Sequence, residues 1–173
     1  MIFGMSYAAY VAIVVGTLAL ADNTNPTPAD LSADGYWLYG FGGNDPDVGH
    51  RDRSGEITVE YRPNDALFLG LRPLYAAGVA GDGGGFLSIG VRRDYFLGPF
   101  QITPYTGPAL YHAPDDGDDE GAGWLQFRTG FDVMYEVAPD VSVSAGFYHL
   151  SDATASSSSA DRDVVRMGLQ YRF

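Results

Sequence analysis

The stretch VSVSAGFYHLS, residues 141–151, decides how the rest of the chain is interpreted. Apolar residues occupy every second position from Val141 to Phe147, with serine or glycine between them. A period of two is typical of a β-strand with one apolar and one polar face. Continued further, the apolar phase reaches His149 and Ser151. In a membrane barrel, whose apolar face meets lipid, a potential base and a potential nucleophile would therefore lie where an acyl chain lies.

The composition bounds the fold and excludes several functions. The 173 residues suffice for one compact domain and include 23 glycines, 12 tyrosines and 10 phenylalanines. Together with many short alternating runs, this content favours an all-β sandwich or barrel. The absence of cysteine excludes disulfide frameworks, thiolate metal sites and a cysteine nucleophile. A formal net charge of −12 argues against nucleic-acid binding, which needs a basic surface.

The first residues indicate export. An apolar run ends in Ala19-Leu-Ala21, the small-x-small pattern that precedes a signal-peptidase cut. The run is shorter than the roughly 18 apolar residues usual for a membrane-spanning helix, although a short retained helix is the alternative. We interpret residues 1–21 as a probable signal peptide, 22–35 as a polar lead-in and 36–173 as the folded domain.

Alternating runs then predict eight strands. They are expected at about residues 37–42, 57–62, 67–72, 87–92, 101–112, 125–136, 141–151 and 164–173. Pro104 and Pro108 disfavour the fifth, because each removes a ladder donor. The glycine-rich segment 76–85 is interpreted as a flexible loop. The connections are then expected to alternate long and short, as in an outer-membrane barrel with both termini in the periplasm.

Charged residues occupy the phase opposite the apolar one. They are Glu60, Arg62, Arg72, Arg92, Arg128, Asp132, Glu136, Arg166 and Arg172. A soluble barrel would show such residues to water, whereas a small membrane barrel must enclose them and pair them, because an unpaired buried charge is costly. We predict an all-β, eight-stranded antiparallel outer-membrane β-barrel.

A group of three residues could carry ester hydrolysis. His149 and Ser151 share one strand face, with Cα atoms about 6.5 to 7 Å apart. Serine esterases need a hydroxyl, an imidazole that takes its proton and a carboxylate that orients the imidazole. Asp163 lies in the apolar phase of the following strand, near the same end, and Asp161 is the alternative in the same phase.

The run Phe147-Tyr-His-Leu-Ser-Asp-Ala153 resembles the His-x-Ser-Asn-Ala signature of the lipid A 3-O-deacylase (PagL-like) or acyloxyacyl hydrolase family. Members are eight-stranded outer-membrane barrels that hydrolyse the acyl ester at position 3 of lipid A. The resemblance implies that His149 is the base, Ser151 the nucleophile and Asp163 the orienting acid, with no cofactor. It also implies lipopolysaccharide and membrane lipids as partners and the bacterial outer membrane as the location.

Two positions depart from the family pattern. Asp163 stands in place of a glutamate, and Asp152 stands where the family has an asparagine whose amide helps to stabilise the oxyanion. An ionised carboxylate there would repel the developing charge. Four alternatives follow: Asp152 turns away, it is neutral, the backbone N–H groups of Ala153 and Thr154 act alone, or the site is inactive.

The competing interpretation is a non-catalytic small outer-membrane barrel, such as a structural protein, an adhesin or a complex subunit. Such a barrel would use its acidic external loops. The acidic run at residues 115–120 is interpreted as a solvated loop, the alternative being a site for divalent cations that bridge lipopolysaccharide phosphates. The sequence leaves the oligomeric state open.

Overall fold

The computed structural model describes residues 35–44, 54–112, 124–153 and 162–173. Nine β-strands lie in these ranges: β1 (Gly35–Asn44), β2 (Gly55–Pro63), β3 (Arg72–Ala80), β4 (Gly85–Arg92), β5 (Tyr95–Leu97), β6 (Phe100–His112), β7 (Leu125–Ala138), β8 (Val141–Asp152) and β9 (Arg162–Arg172). Across these ranges no helix is long and apolar enough to cross a membrane. The predicted signal peptide lies outside the described residues.

The strands form one antiparallel sheet that closes on itself. Apart from β4 and β5, strands that are neighbours in the chain pair with each other, and β1 closes the ring by pairing with β9. Both β4 and the short β5 pair with β6, so these two strands occupy one position in the wall. The barrel therefore has eight positions, which confirms the predicted fold. The strand predicted at 101–112 is also confirmed as β6, despite its two prolines.

The prediction for the third strand was wrong. Residues 67–71 form a turn, in which Leu67 N–H donates to the Leu71 carbonyl and Leu69 and Gly70 have left-handed φ angles of 50° and 72°. The strand instead begins at Arg72 and includes the first half, residues 76–80, of the segment predicted as a loop. The alternation of Leu67, Leu69 and Leu71 has the period of a strand, although these residues form a turn. As a result, the second connection, residues 64–71, is longer than the third, 81–84, and the expected strict alternation fails there.

The alternation of side chains agrees with the membrane-barrel prediction. Large apolar side chains point outward and are exposed, among them Phe41, Ile57, Leu87, Ile89 and Met167. The opposite phase points into the barrel, where Glu60, Arg62, Arg128 and Asp132 are at most 1% exposed. Apolar groups thus form the outer wall, and charged groups fill the interior.

The interior charges pair as predicted. Glu60 accepts hydrogen bonds from Arg62, Arg128 and Arg166. Asp132 accepts hydrogen bonds from Arg62 and Arg166. Two carboxylates therefore share three guanidinium groups, and charge-assisted hydrogen bonds offset part of the cost of removing these groups from water. We call these five residues the central charge cluster.

Gly146 provides the space for one of these ion pairs. In the sheet register it lies between Asp132 on β7 and Arg166 on β9. A Cβ atom at this position would overlap the Asp132 carboxylate. The absence of a side chain lets the two charged groups meet across β8.

A second charged group explains the break between β4 and β5. Asp94 lies between the two strands, and its buried carboxylate contacts the guanidinium groups of Arg92 and Arg72. The Thr103 hydroxyl donates to the same carboxylate at 2.8 Å. The irregularity thus places an acceptor inside the barrel between two buried arginines.

Removing a charge from the central cluster tests its contribution to stability. We expect Asp132→Asn to lower the free energy of unfolding by about 3–5 kcal/mol, because Arg62 and Arg166 lose their shared counter-charge in a buried site. Urea titration of the barrel in lipid vesicles, followed by tryptophan fluorescence, measures this change. Exposed Asp65 provides the control, since Asp65→Asn should change the value by only about 0.5 kcal/mol. Equal effects of the two variants would contradict the assigned role of the cluster.

Candidate active site on the outer wall

His149 and Asp163 meet on the outward face of the barrel. They are directly opposite each other in the pairing of β8 with β9, and both belong to the outward phase. His149 Nδ1 lies 2.7 Å from Asp163 Oδ1, and the His149 residue is 7% exposed. A carboxylate at this distance places the proton on Nδ1 and leaves the lone pair on Nε2. This is the tautomer that a general base in a serine esterase needs.

Ser151 lies in the same outward phase but is not joined to this pair. It is 3% exposed, and it faces Phe127 on β7. Within the described part of the chain, its Oγ atom has no hydrogen-bond partner. The structure therefore brings two of the three predicted residues into contact and places the third nearby. Catalytic hydrogen bonds are often formed only when substrate is bound, so this geometry suits a nucleophile that meets its base in the complex.

The structure describes two of the three residues suggested for oxyanion stabilisation, Asp152 and Ala153. By strand alternation, Asp152 shares the phase of the buried interior residues Tyr148 and Leu150, opposite to that of Ser151. This favours the alternative in which Asp152 turns away. The Ala153 N–H donates to the Leu125 carbonyl at 3.1 Å, so it is already engaged in the sheet. Both Thr154 and the alternative acid Asp161 lie outside the described residues.

An arginine anchors the strand that carries Asp163. Arg162 donates to Ser54 Oγ at 3.0 Å, to Asp82 Oδ2 at 3.3 Å and to the Tyr111 hydroxyl at 3.2 Å. These partners belong to three other parts of the wall, at the end of the barrel where His149 lies. Because Arg162 directly precedes Asp163, these contacts fix the start of β9 and the acid with it.

The contact between Arg162 and Asp82 depends on pH. Although partial burial opposes ionisation, hydrogen bonds from Gly84 N–H and Ser54 and the charge of Arg162 lower the pKa of Asp82. A lowered pKa stabilises the fold above the ordinary value of 3.8, and this stability is lost as the pH falls through the folded-state value. The effect is small, because Asp82 is largely exposed.

Acid titration of Asp82→Asn tests this coupling. We expect the urea midpoint of the wild type to fall slightly more than that of the variant between about pH 6 and about pH 3, because only the wild type loses the Asp82 charge. Every other titrating group is shared by the two proteins, so their difference isolates Asp82. Identical losses would show that the contact with Arg162 makes no pH-dependent contribution.

Sequence reasoning missed two hydroxyl groups beside the histidine. Thr129 on β7 is directly opposite His149, on the side away from Asp163. Its Oγ1 atom lies 2.9 Å from Oγ1 of Thr106, which is opposite Thr129 on β6. The signal that could have found Thr129 is its position in the outward phase of β7, where it interrupts the apolar residues Phe127 and Phe131.

Fold and site together define an eight-stranded outer-membrane-type barrel with a carboxylate–imidazole pair on its outward wall. Neither a scan against protein-family models nor a search of curated proteins found a match.

Solved structures with the same fold include several outer-membrane barrels. The outer membrane enzyme PagL matches with a TM-score of 0.57 and 15% identity, over 80% of this chain and 99% of that one. The N-terminal barrel domain of Pseudomonas aeruginosa OprF gives 0.54 and 12%, over 82% and 99%. The Yersinia pestis outer membrane protein Ail gives 0.53 and 11%, also over 82% and 99%. At these identities the likeness shows the shared fold.

The contact between His149 and Asp163 can be tested without an activity assay. Asp163→Leu retains much of the volume but removes the acceptor, so we expect the imidazole to lose its fixed Nδ1–H tautomer. Long-range ¹⁵N–¹H NMR of the protein in micelles distinguishes one tautomer from an exchanging mixture. Asp161→Leu is the matched control, because Asp161 is the alternative acid, and it should leave the spectrum unchanged. A tautomer shift in the control alone would transfer the role to Asp161.

Proposed function

We propose that this protein is an outer-membrane serine esterase that removes an ester-linked acyl chain, at position 3, from the lipid A of lipopolysaccharide. The observation that carries the proposal is the hydrogen bond between His149 and Asp163 on the outward wall, two residues from Ser151. Chemistry placed on this wall faces the surrounding membrane instead of the barrel interior. The resemblance of residues 147–153 to the lipid A 3-O-deacylase signature supports the same substrate, and the solved fold neighbours include an outer membrane enzyme.

The reaction follows from these groups. The Ser151 hydroxyl attacks the ester carbonyl while His149 Nε2 accepts its proton, and the Asp163 carboxylate stabilises the imidazolium that forms. The tetrahedral intermediate collapses, the C–O bond to the sugar breaks, and His149 protonates the leaving alkoxide. Water, deprotonated by His149, then attacks the acyl-enzyme carbonyl. The bond from the acyl carbon to Ser151 Oγ breaks, His149 returns the proton to Oγ, and the fatty acid is released. The residues carry every proton transfer, so the mechanism uses no cofactor.

The proposal places the protein in the bacterial outer membrane. Residues 1–21 would direct export, and the exposed apolar side chains of the wall would contact membrane lipids. Closed barrels satisfy all backbone hydrogen bonds within the wall, which is the requirement for spanning a membrane with strands. Lipopolysaccharide would approach laterally, with its ester near the end of the barrel that carries His149 and Asp163.

One observation favours the alternative function, a non-catalytic barrel that serves as a structural protein, an adhesin or a complex subunit. Ser151 Oγ has no hydrogen-bond partner in the described ranges, so the complete relay is not assembled. In that case the His149–Asp163 hydrogen bond only stabilises the pairing of β8 with β9. Measurement of lipid A separates the two functions.

Mass spectrometry of lipid A from cells that express each variant provides the test. We expect the wild type to remove one acyl chain and Ser151→Ala to lose at least about a thousandfold in rate, because the nucleophile is absent. Ser142→Ala is the matched control, since Ser142 lies on the same strand in the inward phase, and it should retain wild-type activity. Unchanged lipid A in cells expressing the folded wild type would contradict lipid A as the substrate.

A further inference from the structure

Polar side chains form a row across four strands of the outer wall. In the sheet register, Thr106 is opposite Thr129, Thr129 is opposite His149, and His149 is opposite Asp163. Two hydrogen bonds join the row in pairs, Thr106 with Thr129 at 2.9 Å and His149 with Asp163 at 2.7 Å. Polar groups cost free energy on an apolar wall unless they are paired, and these two hydrogen bonds supply the pairing.

The proposed reaction leaves one requirement unmet by the residues assigned so far. A tetrahedral intermediate needs hydrogen-bond donors aimed at its oxyanion. Asp152 ends its strand in the inward phase, and an ionised carboxylate donates nothing. The Ala153 N–H is engaged with the Leu125 carbonyl. A donor elsewhere on the described outward face would meet this requirement.

Thr129 has both the position and the spare hydrogen for this role. Directly opposite residues have Cβ atoms about 4.5–5.5 Å apart, which places Thr129 beside the imidazole. Ser151 is the diagonal neighbour of Thr129, at about 7–8 Å, so an ester carbonyl attacked by Ser151 would lie between them. Two hydroxyl groups carry two hydrogens, and their mutual bond uses one. When Thr106 donates, the hydrogen of Thr129 is left for a substrate oxygen.

We propose that Thr129 donates a hydrogen bond to the ester carbonyl oxygen of the acyl substrate and to the oxyanion derived from it, with Thr106 holding its hydroxyl in orientation. The inference rests on the proposed esterase function and assigns its oxyanion donor. Thr129 is 3% exposed and Thr106 is half-buried, so the pair is largely shielded from water, where such a donor is most effective.

Three variants of the threonine pair test the assignment in the full-length protein. Thr129→Val keeps the shape but removes the hydroxyl, and it should lower kcat about 10²–10³-fold. Thr129→Ser keeps the hydroxyl and should remain within about tenfold of the wild type, while Thr106→Val should have an intermediate effect because it removes only the orienting partner. Heat-modifiable migration on gels verifies that each variant is folded. Wild-type kcat in folded Thr129→Val would overturn the assignment.

Asp152→Asn provides the matched comparison. If Asp152 occupied the oxyanion position, an amide there would raise turnover, whereas the assignment of Thr129 predicts turnover close to that of the wild type. A large increase in Asp152→Asn, together with no loss in Thr129→Val, would transfer the role to position 152.

Labelling with a long-chain alkyl fluorophosphonate separates this inference from the choice of substrate. The probe phosphonylates an activated serine, with loss of fluoride, and its phosphoryl oxygen takes the place of the carbonyl oxygen. Mass spectrometry should locate the label on Ser151, and Thr129→Val should slow labelling by a factor similar to its loss in kcat. If lipid A stays intact but Ser151 is labelled, the substrate is wrong and the labelling rates still decide the role of Thr129. If wild-type Ser151 is not labelled and lipid A is unchanged, both proposals are wrong.

Discussion

The structure depends on the ion pairs that Glu60 and Asp132 make with arginines inside the barrel. A wall with apolar side chains outside leaves the polar phase of the strands inside, where the residues of the central charge cluster are at most 2% exposed. Each charge must then find a protein partner, because the cost of desolvation is otherwise several kcal/mol per ion. The central charge cluster meets this requirement with two carboxylates shared among three guanidinium groups, and Gly146 gives one of the pairs room to form.

The requirement that polar groups have partners also distinguishes the candidate site from the apolar wall around it. On the outward wall, polar groups also need partners, and His149, Asp163, Thr129 and Thr106 satisfy one another in pairs. Ser151 departs from this pattern, since its buried Oγ has no partner in the described ranges. Leaving a buried hydroxyl unpaired costs about 1–3 kcal/mol, and departures of this kind are expected at functional positions.

The local pattern of the sequence was sufficient to predict most of the strands and the pair of His149 and Asp163 in the candidate site. A period of two fixes which side chains share a face, so the outward wall, the charged interior and the proximity of His149 to Asp163 were all predictable. The third strand was not, because alternating leucines in a turn and the Ala-rich segment after Arg72 each have a pattern opposite to their conformation. Register was not predictable either. Thr129 becomes a neighbour of the site through the register of the β7–β8 hairpin, and the partners of Arg162 do so through contacts between distant segments.

The filled interior also affects whether ions and small solutes can pass through the barrel. Arg62, Arg128 and Arg166 occupy the bore at its middle, held by carboxylates and stacked against the Tyr105 ring. These side chains are at most 2% exposed and fill the described interior at this level, so we expect a planar bilayer containing the protein to remain electrically silent under an applied voltage. Many copies could then be inserted without making the membrane leaky to ions or small solutes.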